Sequence, residues 1–377
     1  MSAKYERRLE HLAKTNPLFG QRSLKLGTFC SNVSGGGTAS SMEGTLKVTW
    51  PNTSALARMA DEMNFEAIVP VARWRGFGGD TDFNGSSFES MTFAAGLSAV
   101  TRSPAVAATI HVPAMHPVLA AKQAATIDHI GGGRFTLNIV TGRSKLEVEL
   151  FGAPLLEHDA RFDVADEWIT LMKLLWTSEE PVQFDGKYFV VHDAHLRPQP
   201  IQPYPTLMGA ASSPRGKLFT VKHCDVAFVL TGAIEPEHLR NDIAKYRQLS
   251  YEQTGHDVKI WMNAYIICGD THEDAQKQFD YCVHEKGDWS GMDNLLRELG
   301  APIETFSHEQ VRDFKIALMA GWGGYRILGT KEEIVDQMRM LRGLGIDGML
   351  LSWPAYMDGM RHFQETIYPL LVQEGLR

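Results

Sequence analysis

Between residues 24 and 351, short apolar runs of strand type alternate with longer helical stretches, and this alternation constrains the fold more than any other feature of the chain. The strand-type runs are 24–29, 67–71, 105–110, 135–140, 206–208, 226–230, 260–267 and 348–351. Helical patterns occupy 54–63, 90–100, 117–130, 161–176, 216–223, 236–254 and 331–344. An open doubly wound sheet usually ends at about five or six strands and carries a glycine-rich turn after the first. Eight strands interleaved with helices instead predict an α/β fold of the closed (β/α)8 TIM-barrel type. We expect one barrel domain over 1–377, preceded by a polar N-terminal extension of about 20 residues. The stretches 31–51, 142–160 and 281–324 do not fit the bare repeat. As insertions at the C-terminal face of the strands, they read as walls and lids of a site.

Charge and cysteines exclude several functions. Lys plus Arg is 37 against 45 for Asp plus Glu, a net charge of −8, with no long basic run. Such a chain is a poor partner for nucleic acid or an anionic membrane. Cys30, Cys224, Cys268 and Cys282 form no Cys-x-x-Cys pair, so neither a zinc ribbon nor a disulfide framework is expected. No window approaches the ~20 apolar residues of a membrane helix, and residues 1–16 lack a signal-peptide core. The expectation is a cytoplasmic protein with reduced thiols.

The residues able to carry chemistry cluster near strand ends. Gly131 to Gly133 precede the fourth strand and read as a helix cap, not a nucleotide fingerprint. Asn138, near that strand's C-terminal end, could aim a carboxamide into the barrel mouth, where it would both donate and accept, or could bind neighbouring backbone. After strand two, Arg73, Trp74, Arg75, Gly76, Phe77, Gly78 and Gly79 form a loop able to stack on a planar ligand and offer guanidinium donors. Arg161, beside His158, Asp159 and Phe162 in the first turn of a helix, suits a phosphate. Ser213 could do the same or act as a plain N-cap. His111 and His116 flank Pro113 after strand three. Serine-hydrolase elbows, phosphate loops and zinc-protease motifs are missing, as is a glycosidase carboxylate pair. His192, Asp193 and His195 read as surface residues, so no metal is expected.

The run Ala124-Ala125-Thr126-Ile127-Asp128, then Gly132-Gly133-Arg134-Phe135 and Asn138-Ile139-Val140-Thr141-Gly142, resembles the bacterial luciferase-like superfamily of flavin-dependent monooxygenases. His158-Asp159 with Arg161-Phe162 is similar to that family's His-Asp-x-Arg-Tyr element, and the resemblance runs from Leu24 onward. Arg75-Gly76-Phe77-Gly78-Gly79 with Glu89-Ser90 resembles the pyrimidine monooxygenases; Asn32-Val33-Ser34-Gly35-Gly36 resembles the dimethylsulfone and alkanesulfonate branch.

The resemblance implies a two-component enzyme that uses reduced FMN and O2, with a separate NAD(P)H:flavin reductase as partner. It implies a small heterocyclic or organosulfur substrate, and a homo-oligomer. Carried over by motif, Ala72, Arg73, Asn138, Glu147, Arg161, Phe162 and Ser213 would contact the cofactor. Thr109 and Asn138 match the pair associated with the oxygen pocket, and Arg73, Arg75 or His111 could neutralise charge developing on the substrate. The chain departs from the pyrimidine pattern in having Arg73 for Lys, Phe162 for Tyr, and Arg143 at a position usually aromatic. A deazaflavin-dependent oxidoreductase, a flavin-degrading enzyme and a non-catalytic flavin-binding protein are the alternatives on the same scaffold.

Overall fold

In a computed structural model of the chain, which describes residues 3–229, 235–300 and 306–377, the strands are β1 (Lys25–Phe29), β2 (Ala67–Val69), β3 (Ala105–His111), β4 (Phe135–Val140), β5 (Val182–Asp185), β6 (Val190–Ala194), β7 (Thr206–Ala210), β8 (Val226–Val229), β9 (Lys259–Cys268), β10 (Tyr325–Gly329) and β11 (Gly348–Ser352). Parallel pairing runs β1-β2-β3-β4-β7-β8-β9-β11 and returns from β11 to β1, closing an eight-stranded barrel. The eight runs expected from sequence are these eight strands, displaced by a residue or two at their ends. Leu230, the last residue of the expected 226–230 run, lies outside the described residues.

Alternation along each strand divides the core in two. Val69, Ala107, Met208, Phe228, Trp261 and Leu350 fill the barrel interior, where Phe29 and Phe228 meet edge to face with ring centroids 5.1 Å apart. Ile68, Val106, Leu137, Ile260 and Met349 face outward into the helices, against residues such as Leu97, Ala124, Trp168 and Trp176. Small residues on the helix Pro117–Ile130 let it lie close to the sheet, and Trp176 Nε1 donates to the Ala121 carbonyl at 3.0 Å.

Two departures from expectation bear on function. The expected N-terminal extension contains a helix, Ala3–Thr15, with Arg8 and Leu12 buried. Arg8 Nη1 lies 2.5 Å from Asp225 Oδ1 and its guanidinium stacks on Tyr204, 3.8 Å from the ring centroid. The 281–324 stretch carries two helices, Trp289–Glu298 and His308–Met319, and returns through the unexpected strand β10. Residues 301–305 of this stretch lie outside the described residues. β9 is ten residues long; β8 pairs with Lys259 to Met262, β11 with Trp261 to Tyr265, and β10 with Ala264 to Cys268 beyond β8. β5 and β6 form a separate antiparallel pair, where His192 Nε2 lies 3.6 Å from Asp185 Oδ1. No helix among the described residues is long and apolar enough to cross a membrane.

Candidate active site

At the C-terminal mouth of the barrel, Thr109 and Asn138 are register partners on β3 and β4. The Thr109 hydroxyl donates to the Pro70 carbonyl at 2.5 Å, so its lone pairs accept from Asn138 Nδ2 at 3.0 Å. This relay fixes the carboxamide. Asn138 Oδ1 is left buried with no hydrogen-bond partner, on a residue only 3% exposed. Leaving such an acceptor dry costs on the order of 1–3 kcal/mol, so the site is built for a donor that the chain itself does not supply.

A second group lies across the ends of β2, β3 and β4. Glu147, 2% exposed, takes Arg73 Nε and the Trp74 backbone N–H on Oε1 at 3.0 and 2.8 Å, and Arg73 Nη2 on Oε2 at 2.5 Å. Its helix, Lys145–Glu149, starts at Ser144, whose hydroxyl caps the Glu147 N–H. His111 Nδ1 stands 3.7 Å from Glu147 Oε2. Burial pushes this imidazole down to about 4; Glu147 opposes the shift and Arg73 adds to it. His111 is therefore neutral at pH 7. Arg73 also lies 4.3 Å above the Phe77 ring and 3.6 Å from Glu298 Oε1, a carboxylate oxygen with no hydrogen-bond partner.

The loop after β2 is stapled to the insertion. Asp288, buried at the N-cap of the helix Trp289–Glu298, accepts from the backbone N–H groups of Asp80, Thr81 and Gly291 and from the Thr81 hydroxyl. Asn294 of the same helix donates to the Phe77 carbonyl at 2.9 Å. Farther over the mouth, Trp322 and Asn84 both adopt positive φ, +56° and +59°, and Trp322 Nε1 donates to Asn84 Oδ1 at 3.1 Å. Non-glycine residues in this region are uncommon, and they cluster where surrounding structure overdetermines them.

The third group lines a cavity of about 530 Å³ at the ends of β4 and β7, a size common for small-molecule sites. Arg143, Arg161, Phe162, Ser213 and Glu298 are among its walls. Arg161 Nη1 donates to the Gly142 carbonyl at 2.8 Å while its Nε is buried and unpartnered. Burial and the neighbouring Arg143 lower the basicity of Arg161. Ser213 caps the helix Pro214–His223, its Oγ accepting from Gly216 N–H at 3.2 Å. Phe162 packs on Phe219 and the Arg215 guanidinium lies over it. A helix N-terminus and two adjacent cations suit a phosphate.

The sequence-derived residues thus form three neighbouring groups: Thr109 with Asn138, Arg73 with His111 and Glu147, and Arg161 with Phe162 and Ser213. Thr109 and Asn138 sit in the barrel wall and do not line the 530 Å³ cavity, to which Val140, two residues along β4, contributes. Ala72 is half-buried beside Arg73. Glu147 is engaged by three protein donors, so its present role is to hold Arg73 and the backbone of Trp74. Asn32, quoted above for the sulfone branch, spends its whole amide on structure: Nδ2 donates to the Val71 and Phe88 carbonyls, and Oδ1 accepts from Val71 N–H. Sequence reasoning missed Glu298, Asp288 and Asn84. Asp288, three residues before Gly291 at the start of an amphipathic segment, carried a readable N-cap signal; Glu298 carried none.

A sequence-family profile described as luciferase-like monooxygenase matches residues 24–348. The chain is 28% identical over 355 residues to an FMNH2-dependent dimethylsulfone monooxygenase of Pseudomonas putida, covering 92% of this chain and 95% of that one. It is also 28% identical over 365 residues to the pyrimidine monooxygenase RutA of Klebsiella pneumoniae, covering 92% and 96%. In three dimensions it is similar to riboflavin lyase RcaE, with a TM-score of 0.80 at 19% identity over 94% of this chain and 92% of that one. Long-chain alkane monooxygenase LadA gives 0.80 at 21% identity over the same shares.

Proposed function

Since the chain belongs to the luciferase-like monooxygenase family, we propose that it is a two-component monooxygenase using reduced FMN and O2 to oxygenate a small heterocyclic or organosulfur compound, with pyrimidine-like ring cleavage as the favoured reaction. The reduced cofactor would come from a separate NAD(P)H:flavin reductase, and the working form would be a homo-oligomer. FMN, when bound, supplies the redox chemistry and the reaction with O2. The observation that carries the reading is the buried, unpartnered Oδ1 of Asn138, whose carboxamide is held by Thr109.

The chain's own residues divide the remaining work. Asn138 Oδ1 accepts from an N–H of a planar heterocycle, and the hydrophobic barrel interior below it excludes water. Arg161, Arg143 and the N-terminal turn capped by Ser213 hold the phosphate. Phe162 offers an apolar face there in place of a hydroxyl donor. Arg73, fixed in place by Glu147, presents its guanidinium at the mouth, where it stabilises negative charge developing on the substrate. Neutral His111 is available to accept a hydrogen bond and adds no second cation. Against the sulfone branch, the structural use of both ends of the Asn32 amide removes that residue from substrate recognition.

The test is stopped-flow absorbance of the purified protein with photoreduced FMN, mixed with oxygenated buffer containing uracil, dimethylsulfone, an alkanesulfonate or riboflavin. The expected result is oxidation kinetics distinct from free flavin, with consumption of the pyrimidine. Consumption of riboflavin alone would support a flavin-degrading enzyme, and oxidation no different from free flavin would end the FMN reading.

A further inference from the structure

Beside the 530 Å³ cavity lies a second hollow of about 440 Å³, lined by Arg75, Lys145, Asn294 and Arg297 together with Gly76 to Gly78. Lys145 and Glu298 line both spaces, so the two adjoin. Arg75 and Arg143 make no ion pair or hydrogen bond among the described residues, and Arg297 donates only to Asn294 Oδ1, at 2.9 Å. Among other guanidiniums, Arg8, Arg215, Arg247 and Arg377 rest on carboxylates, whereas Arg58, Arg240 and Arg312 are unpaired among the described residues, like Arg75; what sets Arg75 and Arg297 apart is that both line one hollow. Glu298, the one carboxylate lining both hollows, lies 3.6 Å from Arg73, and Glu149, which lines neither, lies 3.7 Å from Lys145.

A chain of net charge −8 repels small anions in general, yet the unpaired Arg75 and Arg297, together with Lys145, whose only carboxylate among the described residues is Glu149, bring positive charge to the hollow that adjoins the phosphate-type cavity. At physiological salt the field of an exposed charge extends about 8 Å, so local cations outweigh the distant negative surface. Three cations against the single carboxylate of Glu298 leave the hollow net positive, and a cleft with an excess of one sign raises association rates by about 10- to 1000-fold. We infer that the Arg75–Lys145–Arg297 hollow is an electrostatic antechamber, which draws a small phosphate-bearing ligand out of free solution and passes it to the adjoining cavity. Its partner is the dissociated anion and not a docked protein. Resting on the FMN reading above, the inference adds how the cofactor arrives: from solution, steered by its phosphate.

The experiment follows quenching of protein fluorescence in an anaerobic stopped-flow instrument as photoreduced FMN, or photoreduced riboflavin lacking the phosphate, binds between about 20 and 500 mM salt. The expected FMN association rate constant falls steeply with salt, whereas that of riboflavin stays flat. In the double variant Arg75→Gln/Arg297→Gln, both exposed positions outside the 530 Å³ cavity, FMN association at low salt drops by about 3- to 10-fold with dissociation unchanged. Glu298→Gln, which removes the negative charge between the hollows, acts in the opposite direction and speeds FMN association. A salt-independent association rate, or a loss confined to dissociation, would overturn the antechamber. FMN that binds tightly only when a reductase is present would favour protein-to-protein transfer and overturn it equally. Wild-type protein that binds no FMN at any salt would overturn the cofactor reading instead.

Discussion

Glu147→Gln tests whether the Arg73 arrangement is a true buried pair. The wild-type carboxylate is 2% exposed and its arginine partner 9% exposed, joined by contacts of 3.0 and 2.5 Å, while a further oxygen contact of 2.8 Å holds the Trp74 N–H. With its oxygen in the place of Oε1 the amide keeps the Arg73 Nε and Trp74 contacts but sets an NH2 against Arg73 Nη2 in the place of Oε2. Arg73 would then face only Glu298, at 3.6 Å. Removing one partner of a buried, hydrogen-bonded pair typically costs about 3–5 kcal/mol, because the remaining charge stays desolvated. Two charge-assisted hydrogen bonds at about 1.5–3 kcal/mol each give the same scale independently. Replacing both residues together, as Arg73→Leu/Glu147→Leu, should cost far less than Arg73→Leu and Glu147→Leu combined, since neither member of the pair is left stranded, and the loss of Glu298's cation is common to both variants that lack Arg73. The assay is urea unfolding of the wild type, both single variants and the double, each followed by fluorescence and circular dichroism. A single-variant loss below about 1 kcal/mol, or additivity in the double, would refute the claim that the pair is desolvated and coupled.

Three further outcomes follow from the same structure. His111 has a folded pKa depressed to about 4, so the unfolded chain takes up a proton first as pH falls below 6.5; stability should decline by roughly 3 kcal/mol between pH 7 and 4, and His111→Asn should flatten that slope in denaturation measured against pH. Asp288→Asn weakens the anchor of the loop after β2, by on the order of 2–3 kcal/mol, and should speed hydrogen exchange of the Asp80 and Thr81 amides while leaving barrel strands protected. Thr109→Val removes the acceptor that orients Asn138 and should weaken FMN binding by about tenfold, whereas Thr109→Ser should retain it; equal affinities for both variants, measured by titration, would show that the relay does not set the amide.

The barrel was legible because its signals are local. Eight short apolar runs with helices between them can close only one common way, and the register pairing of Thr109 with Asn138 follows once both are seen as late residues of adjacent strands. The Ser213 cap and the cationic face near Arg161 were legible for the same reason. What stayed hidden depends on contacts across long sequence separation. Asp288 reaches Thr81 over 207 positions, and Asn294 reaches Phe77 over 217. Strand β10 was hidden because Tyr325 to Gly329 contains Arg326 and two residues of weak strand type, and its pairing depends on the overhang of β9. The helix Ala3–Thr15 stands in the sequence only as part of a polar extension, since the apolar body of Arg8 and the ring of Tyr204 bury surface that a polarity pattern does not register.

The length of β9 has a mechanical consequence. Because β10 is joined to its upper half by five parallel register pairs, the insertion returns to the barrel as part of the sheet and not as a tethered flap. Swinging it aside as one rigid shutter would mean tearing a main-chain ladder, a motion that belongs to partial unfolding and not to a catalytic cycle. The entrance therefore behaves as a fixed porch whose selectivity is set in advance by its charges and shape, so that exchanging the insertion between related barrels should transplant a doorway along with its frame.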